Sequence, residues 1–110
     1  MKIAFDFDGT ITAHPVLLNL LAWALHGAGH EVIVLTAAAG ELPKDKRPAE
    51  VTQRLRKYGF FCPHTLACVE GMEKGLWCKE HNVDVVIDDD DAYLWTIREH
   101  SPKTLRLQVV

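Results

Sequence analysis

Five short apolar runs, rich in β-branched residues, recur along this 110-residue chain, and helix-length segments separate them. KIAFDF at 2–7, EVIVLT at 31–36, HTLACV at 64–69, VDVVI at 83–87 and TLRLQV at 104–109 read as strands, with helices near 15–28, 48–58, 71–81 and 91–100. Pro15 and Pro48 suit first-turn helix positions, and Asp90 or Asp91 suits the cap of the last helix. Strands this apolar, joined by helical crossovers, belong in a parallel sheet covered on both faces, and right-handed crossovers leave few topologies. The expected fold class is therefore α/β. Residues 1–110 are expected to form one domain, since the length suits a single core and no repeat, linker or low-complexity tract divides it.

In open parallel sheets ligands bind at the carboxyl ends of the strands, where the strand order reverses. Polar residues of this chain fall there. Asp6 and Asp8 close the first strand, Thr36 the second, and Asp88 and Asp89 the fourth. Carboxylates are costly in a strand fit for burial unless a cation or a chemical task holds them. Four of them converging on one edge repel each other, and a hard divalent cation removes that repulsion. Mg²⁺ is the expected ion, because it takes carboxylate, carbonyl, water and phosphate oxygens, and no His or Cys is spaced for zinc. Gly9 lets the chain turn sharply after Asp8 so that both side chains face one pocket.

The segment Asp6-Phe7-Asp8-Gly9-Thr10 resembles the DxDGT signature of the haloacid dehalogenase-like superfamily, whose phosphatases work through an aspartyl-phosphate. The resemblance extends over the chain, with motifs in the family's order on the expected elements. It implies a Rossmann-like three-layer sandwich whose five parallel strands run in the order 5-4-1-2-3, and it implies no cap domain. Only Thr12-Ala13-His14 and Glu70-Gly71 stand where caps are inserted. It further implies Asp6 as nucleophile and Asp8 as general acid/base, with Thr36 and Ala37 binding phosphate. Asp6, the carbonyl of Asp8, and Asp88 and Asp89 would hold Mg²⁺. A lysine before the fourth strand, which in the family helps to hold the phosphoryl group, completes the phosphate-binding set, and two are available, Lys74 and Lys79. A helix that starts near Gly71 beside the site puts Lys74 in its first turn and Lys79 about 7 Å further down, turned some 140° away, which favours Lys74.

Asp two residues after the nucleophile points, within the family, to phosphatases or mutases. The expected function is Mg²⁺-dependent phosphomonoester hydrolysis. An open site suits a large or nucleotide-like phosphorylated substrate, or a homo-oligomer in which another subunit covers it. Two other readings use the same residue types: a binding or regulatory module of the same family with little turnover, and a receiver-like phospho-acceptor domain. Receivers carry the acceptor Asp at the end of strand three, where this chain has Cys68-Val69-Glu70.

The remaining residues read more plainly. Cys62, Cys68 and Cys78 match no zinc or redox spacing and are expected to be reduced, mostly buried thiols. The six histidines lack ligand spacing, with His14, just past the Asp pair, the nearest to the site. Trp23, Trp77 and Trp95 lie in helical segments and are expected to pack there. Net charge of −3 gives no general reason to expect nucleic acid, although Lys44, Lys46 and Arg47, in the loop after Thr36, are placed to attract an anionic substrate. No run is long enough to span a membrane and no signal peptide is evident, so the expectation is a cytoplasmic protein with no membrane partner.

Overall fold

The apolar runs pair side by side into one five-stranded parallel sheet. The computed structural model describes every residue from Met1 to Val110. Its elements are β1 (Lys2–Phe5), α1 (Pro15–Gly27), β2 (Glu31–Thr36), α2 (Arg47–Lys57), β3 (Thr65–Cys68), α3 (Lys74–His81), β4 (Val85–Asp88), α4 (Asp91–His100) and β5 (Leu105–Gln108). Single 3₁₀ turns at Lys44–Lys46 and Gly71–Glu73 precede α2 and α3. The order across the sheet is β3-β2-β1-β4-β5, the expected 5-4-1-2-3 read from the other edge.

Parallel register puts paired residues on one face. Ile3, Val32 and Val85 form one row and Phe5, Val34 and Ile87 the next. These rows meet Leu18 and Ala22 of α1 and Val51 and Leu55 of α2 in the first core layer. On the opposite face Ala4, Ile33, Leu35 and Val86 meet Cys78 of α3 and Leu94 and Ile97 of α4. Full burial of side chains such as Phe5, Ile33 and Leu55 contributes roughly 1.5–3 kcal/mol each. Right-handed crossovers account for the division of helices. Steps from β1 to β2 to β3 run one way across the sheet and carry α1 and α2; steps from β3 to β4 to β5 return beyond β1 and carry α3 and α4. The reversal lies between the adjacent strands β1 and β4.

Several boundaries differ from those expected. β1 stops at Phe5 rather than at residue 7, because the chain turns out of the sheet once the Asp6 N–H has donated to the Ile87 carbonyl at 2.9 Å. β4 is shifted to Val85–Asp88, which makes Asp88 its last residue. α3 begins at Lys74, after a 3₁₀ turn over the residues expected to open it. Trp77 packs against the second core layer, whereas Trp23 and Trp95 are about half exposed and contribute less packing than their helical positions suggested. The three thiols are unpaired, with Cys62 and Cys78 buried and Cys68 partly so. No helix is long and apolar enough to cross a membrane.

Helices α3 and α4 lie close together at Gly75. Its N–H donates to Thr96 Oγ1 at 3.2 Å, and a Cβ there would lie 2.1 Å from the Thr96 carbonyl oxygen. Gly75→Ala must therefore push the helices apart. Overpacking of this kind costs about 1–3 kcal/mol, and denaturant unfolding should show that loss as a lower midpoint with an unchanged slope.

Candidate active site

The chain after β1 makes a compact turn that carries both aspartates. Asp8 is extended at φ −68°, ψ 127° and Gly9 follows at φ 78°, ψ −8°, after which the Thr12 N–H donates to the Phe7 carbonyl at 3.1 Å. Only glycine suits position 9. The φ is left-handed, and a Cβ would come within 2.1 Å of Asp89 Oδ2. This close approach brings the β1 turn against the end of β4.

A pocket of about 310 Å³ opens over the reversal point. Asp6, Asp8 and Gly9 line it from the β1 turn, Thr36, Ala37 and Ala38 from the end of β2, and Asp89, Asp90 and Tyr93 from the junction of β4 and α4. Carboxylate oxygens of Asp6, Asp88 and Asp89 all lie within 4.8 Å of one another. Asp8 stands apart from that group, exposed at the rim. Thr36 is buried, and its Oγ1 accepts the Ala38 N–H at 3.0 Å, which folds the β2 loop back over the strand end. Asp90 caps α4 by accepting the Tyr93 N–H at 3.1 Å, the capping role its position suggested.

Lys74, expected to reach the phosphate, is instead wholly buried beneath the pocket floor and does not line the pocket, because two carboxylates hold its ammonium. Its Nζ donates to Asp6 Oδ1 at 2.8 Å and to Asp88 Oδ2 at 2.7 Å, and lies 4.7 Å from the centre of the Tyr93 ring. Burial pulls the ammonium's pKa down, but the two carboxylates more than offset this, so it stays above the ordinary lysine value. One ammonium cannot balance two buried carboxylates and Asp89 as well. Burial pushes the Asp6 carboxyl up to about 7, with Lys74 pulling down and Asp88 pushing further up. Lys79 lies on the far side of α3, lining a cavity with Asn82, Asp84 and Lys103.

A folded-state pKa near 7 against an ordinary 3.8 means that Asp6 favours folding most when protonated. That contribution is complete below the ordinary value and is lost as pH rises through 7. In EDTA the melting temperature should therefore fall on the order of 5 °C between about pH 5 and pH 8, and Asp6→Asn should flatten the profile. Thermal melts across that range check both statements.

Several expected contributors lie elsewhere. Lys44 and Lys46 are exposed in the 3₁₀ turn and do not line the pocket. Arg47 is held by the carbonyls of Leu42 and Gly40 at 2.9 Å each and by Glu70 Oε1 at 3.0 Å, so it braces the β2 loop. His14 is exposed just before α1 and outside the pocket lining. Burial pushes the Cys78 thiol up to about 12, which keeps it protonated and unreactive at neutral pH. Three site residues had no assigned role in the sequence. Thr10 Oγ1 lies 3.2 Å from Asp89 Oδ1 and 3.4 Å from Asp6 Oδ2, and ties the two segments together. Ala38 and Tyr93 form pocket wall; the position of Tyr93 in the first turn of a helix starting at this edge was the one available signal.

The donor set fits a hard cation. It is all oxygen, it leaves negative charge in excess of Lys74, and Gly9 leaves room beside Asp89 that any side chain would fill. No protein-family model matches the chain, and no curated protein matches it at a significant level.

Proposed function

We propose that this chain is a Mg²⁺-dependent phosphohydrolase that works through an aspartyl-phosphate on Asp6. The observation that carries the reading is the meeting of Asp6, Asp88 and Asp89 within 4.8 Å, with Lys74 bridging Asp6 and Asp88 from below. The resemblance of residues 6–10 to the haloacid dehalogenase-like signature assigns the roles, and the open pocket supplies a place for a phosphoryl group next to Asp6.

Asp6, Asp88 and Asp89 would hold the ion, which supplies positive charge against both the nucleophile and the phosphoryl oxygens. An Asp6 oxygen attacks phosphorus, the ester P–O bond breaks, and Asp8 gives its proton to the leaving alkoxide. Asp8 at the exposed rim is reachable by a leaving group and then by water. Ionised, it takes a proton from that water, which attacks phosphorus; the bond to Asp6 breaks and inorganic phosphate leaves. Lys74 holds the position of Asp6 and offsets its charge. Thr36, whose oxygen already accepts the Ala38 N–H, keeps its hydroxyl proton for a phosphoryl oxygen, and Ala37 lies beside it.

The test is hydrolysis of aryl phosphates, alkyl phosphates and nucleotides with Mg²⁺ and with EDTA. Turnover that requires Mg²⁺ is the expected result. Saturable binding of phosphomonoesters without turnover would favour the binding-module reading, and full activity in EDTA would exclude the metal.

A further inference from the structure

Helix α1 is apolar on faces that no other part of the chain covers. Of its residues only Leu18 and Ala22 are buried, whereas Val16, Leu17 and Leu20 are 74%, 63% and 62% exposed. At about 100° per residue, Leu17 and Leu21 fall on one flank of the sheet-facing line and Asn19 and His26 on the other. The His26 flank looks toward β3, since His26 shares a cavity with His64 and Thr65. The leucine flank therefore looks the other way, toward β4 and β5.

On this side of the sheet nothing lies over β5, because α1 and α2 serve the crossovers between β1, β2 and β3. Leu105 and Leu107 pair with Val85 and Ile87, and so point to the α1 side, where they remain 55% and 46% exposed. The leucine flank of α1 and the bare face of β5 form a step with an apolar wall and an apolar floor.

We propose that this step is a homodimer interface in which α1 of each copy lies in the step of the other. Charge argues for a second copy. No Asp, Glu, Lys or Arg occurs between Asp8 and Glu31, so α1 meets its copy across a two-fold axis without like-charge repulsion and offers a charged partner nothing to pair with. A lipid surface is disfavoured for the same reason, since interfacial helices are anchored by Lys and Arg. Area argues the same way. The exposed parts of the six apolar side chains on α1 and β5 come to roughly 600 Å², the upper end of what a monomer leaves bare. They would supply most of the ~800 Å² per partner of a stable interface.

Oligomeric mass is measured without substrate or metal, so the result is independent of the catalytic reading. Sedimentation equilibrium at roughly 100 μM chain should give twice the 12.4 kDa chain mass. Leu20→Glu on α1 and Leu107→Lys on β5 should each give the single-chain mass with an unchanged circular dichroism spectrum. Leu17→Gln repeats the test without adding charge, should either charged variant fail to fold. A wild-type chain that is monomeric at that concentration overturns the proposal, whether or not it co-sediments with phosphatidylcholine vesicles. A dimer that survives all three substitutions overturns it as well.

Discussion

Asp6→Asn should lower Mg²⁺-dependent turnover of an aryl phosphate by about 10⁴-fold or more, while the folded protein becomes more stable at pH 8. The two effects have one origin. Asn matches the shape of Asp but removes the oxyanion that attacks phosphorus and a carboxylate that holds the ion. It also removes a charge that the fold accommodates poorly, since burial outweighs the pull of Lys74 and raises the Asp6 carboxyl to about 7. Protonated Asp6 and Asn are close equivalents, so the melting temperature in EDTA at pH 8 should rise by several degrees. An inactive protein that melts later cannot be dismissed as misfolded. If Asp6 were only a structural ion-pair partner of Lys74, the substitution would cost stability instead. Steady-state kinetics with 4-nitrophenyl phosphate, alongside melts of the same samples, separate the two cases.

The fold was largely legible because strand and helix periodicity are local properties. Alternation of apolar runs with helix-length segments implies the parallel sheet, and crossover handedness leaves few layouts; the observed order is the one that the family resemblance implied. Boundaries were less legible because they depend on partners. Phe7 reads as strand, yet the chain leaves the sheet at Asp6 to make the Gly9 turn against Asp89, 80 residues away in sequence. Candidate-site residues carried by short-range pattern, Asp6, Asp8, Thr36, Asp88 and Asp89, could be picked out from their place at strand ends, and Lys74 over Lys79 from helix geometry. Those defined by contact across the fold could not. Tyr93 carried only its place in the first turn of α4, which says nothing of its contact with Lys74, and the basic charge of Arg47 suggested substrate binding when its hydrogen bonds brace a loop. The exposure of α1 was equally hidden, because a leucine-rich helix reads as core until the sheet beside it is seen to stay uncovered at β5.

Lys74→Met should lose activity by about 10²–10⁴-fold, and its stability should depend on Mg²⁺ far more than that of wild type. Methionine fills most of the lysine's volume, so the packing against Tyr93 survives and the charge is what changes. Without the ammonium, the Asp6 and Asp88 carboxylates that it joins beneath the pocket have no cation between them. Removing one partner of a buried pair typically costs about 3–5 kcal/mol, because the other charge remains desolvated. Here that cost should shrink under two conditions. Lowering the pH protonates Asp6, and adding Mg²⁺ replaces the missing positive charge from the pocket side. The variant's melting temperature at pH 8 should therefore rise more on addition of Mg²⁺ than the wild type's does. Lys79→Ala should leave both activity and stability near wild type, since Lys79 lies on the far side of α3. Equal Mg²⁺ responses in Lys74→Met and wild type would mean that the ion and the ammonium do not share the same carboxylates, and would move the metal site away from Asp6 and Asp88.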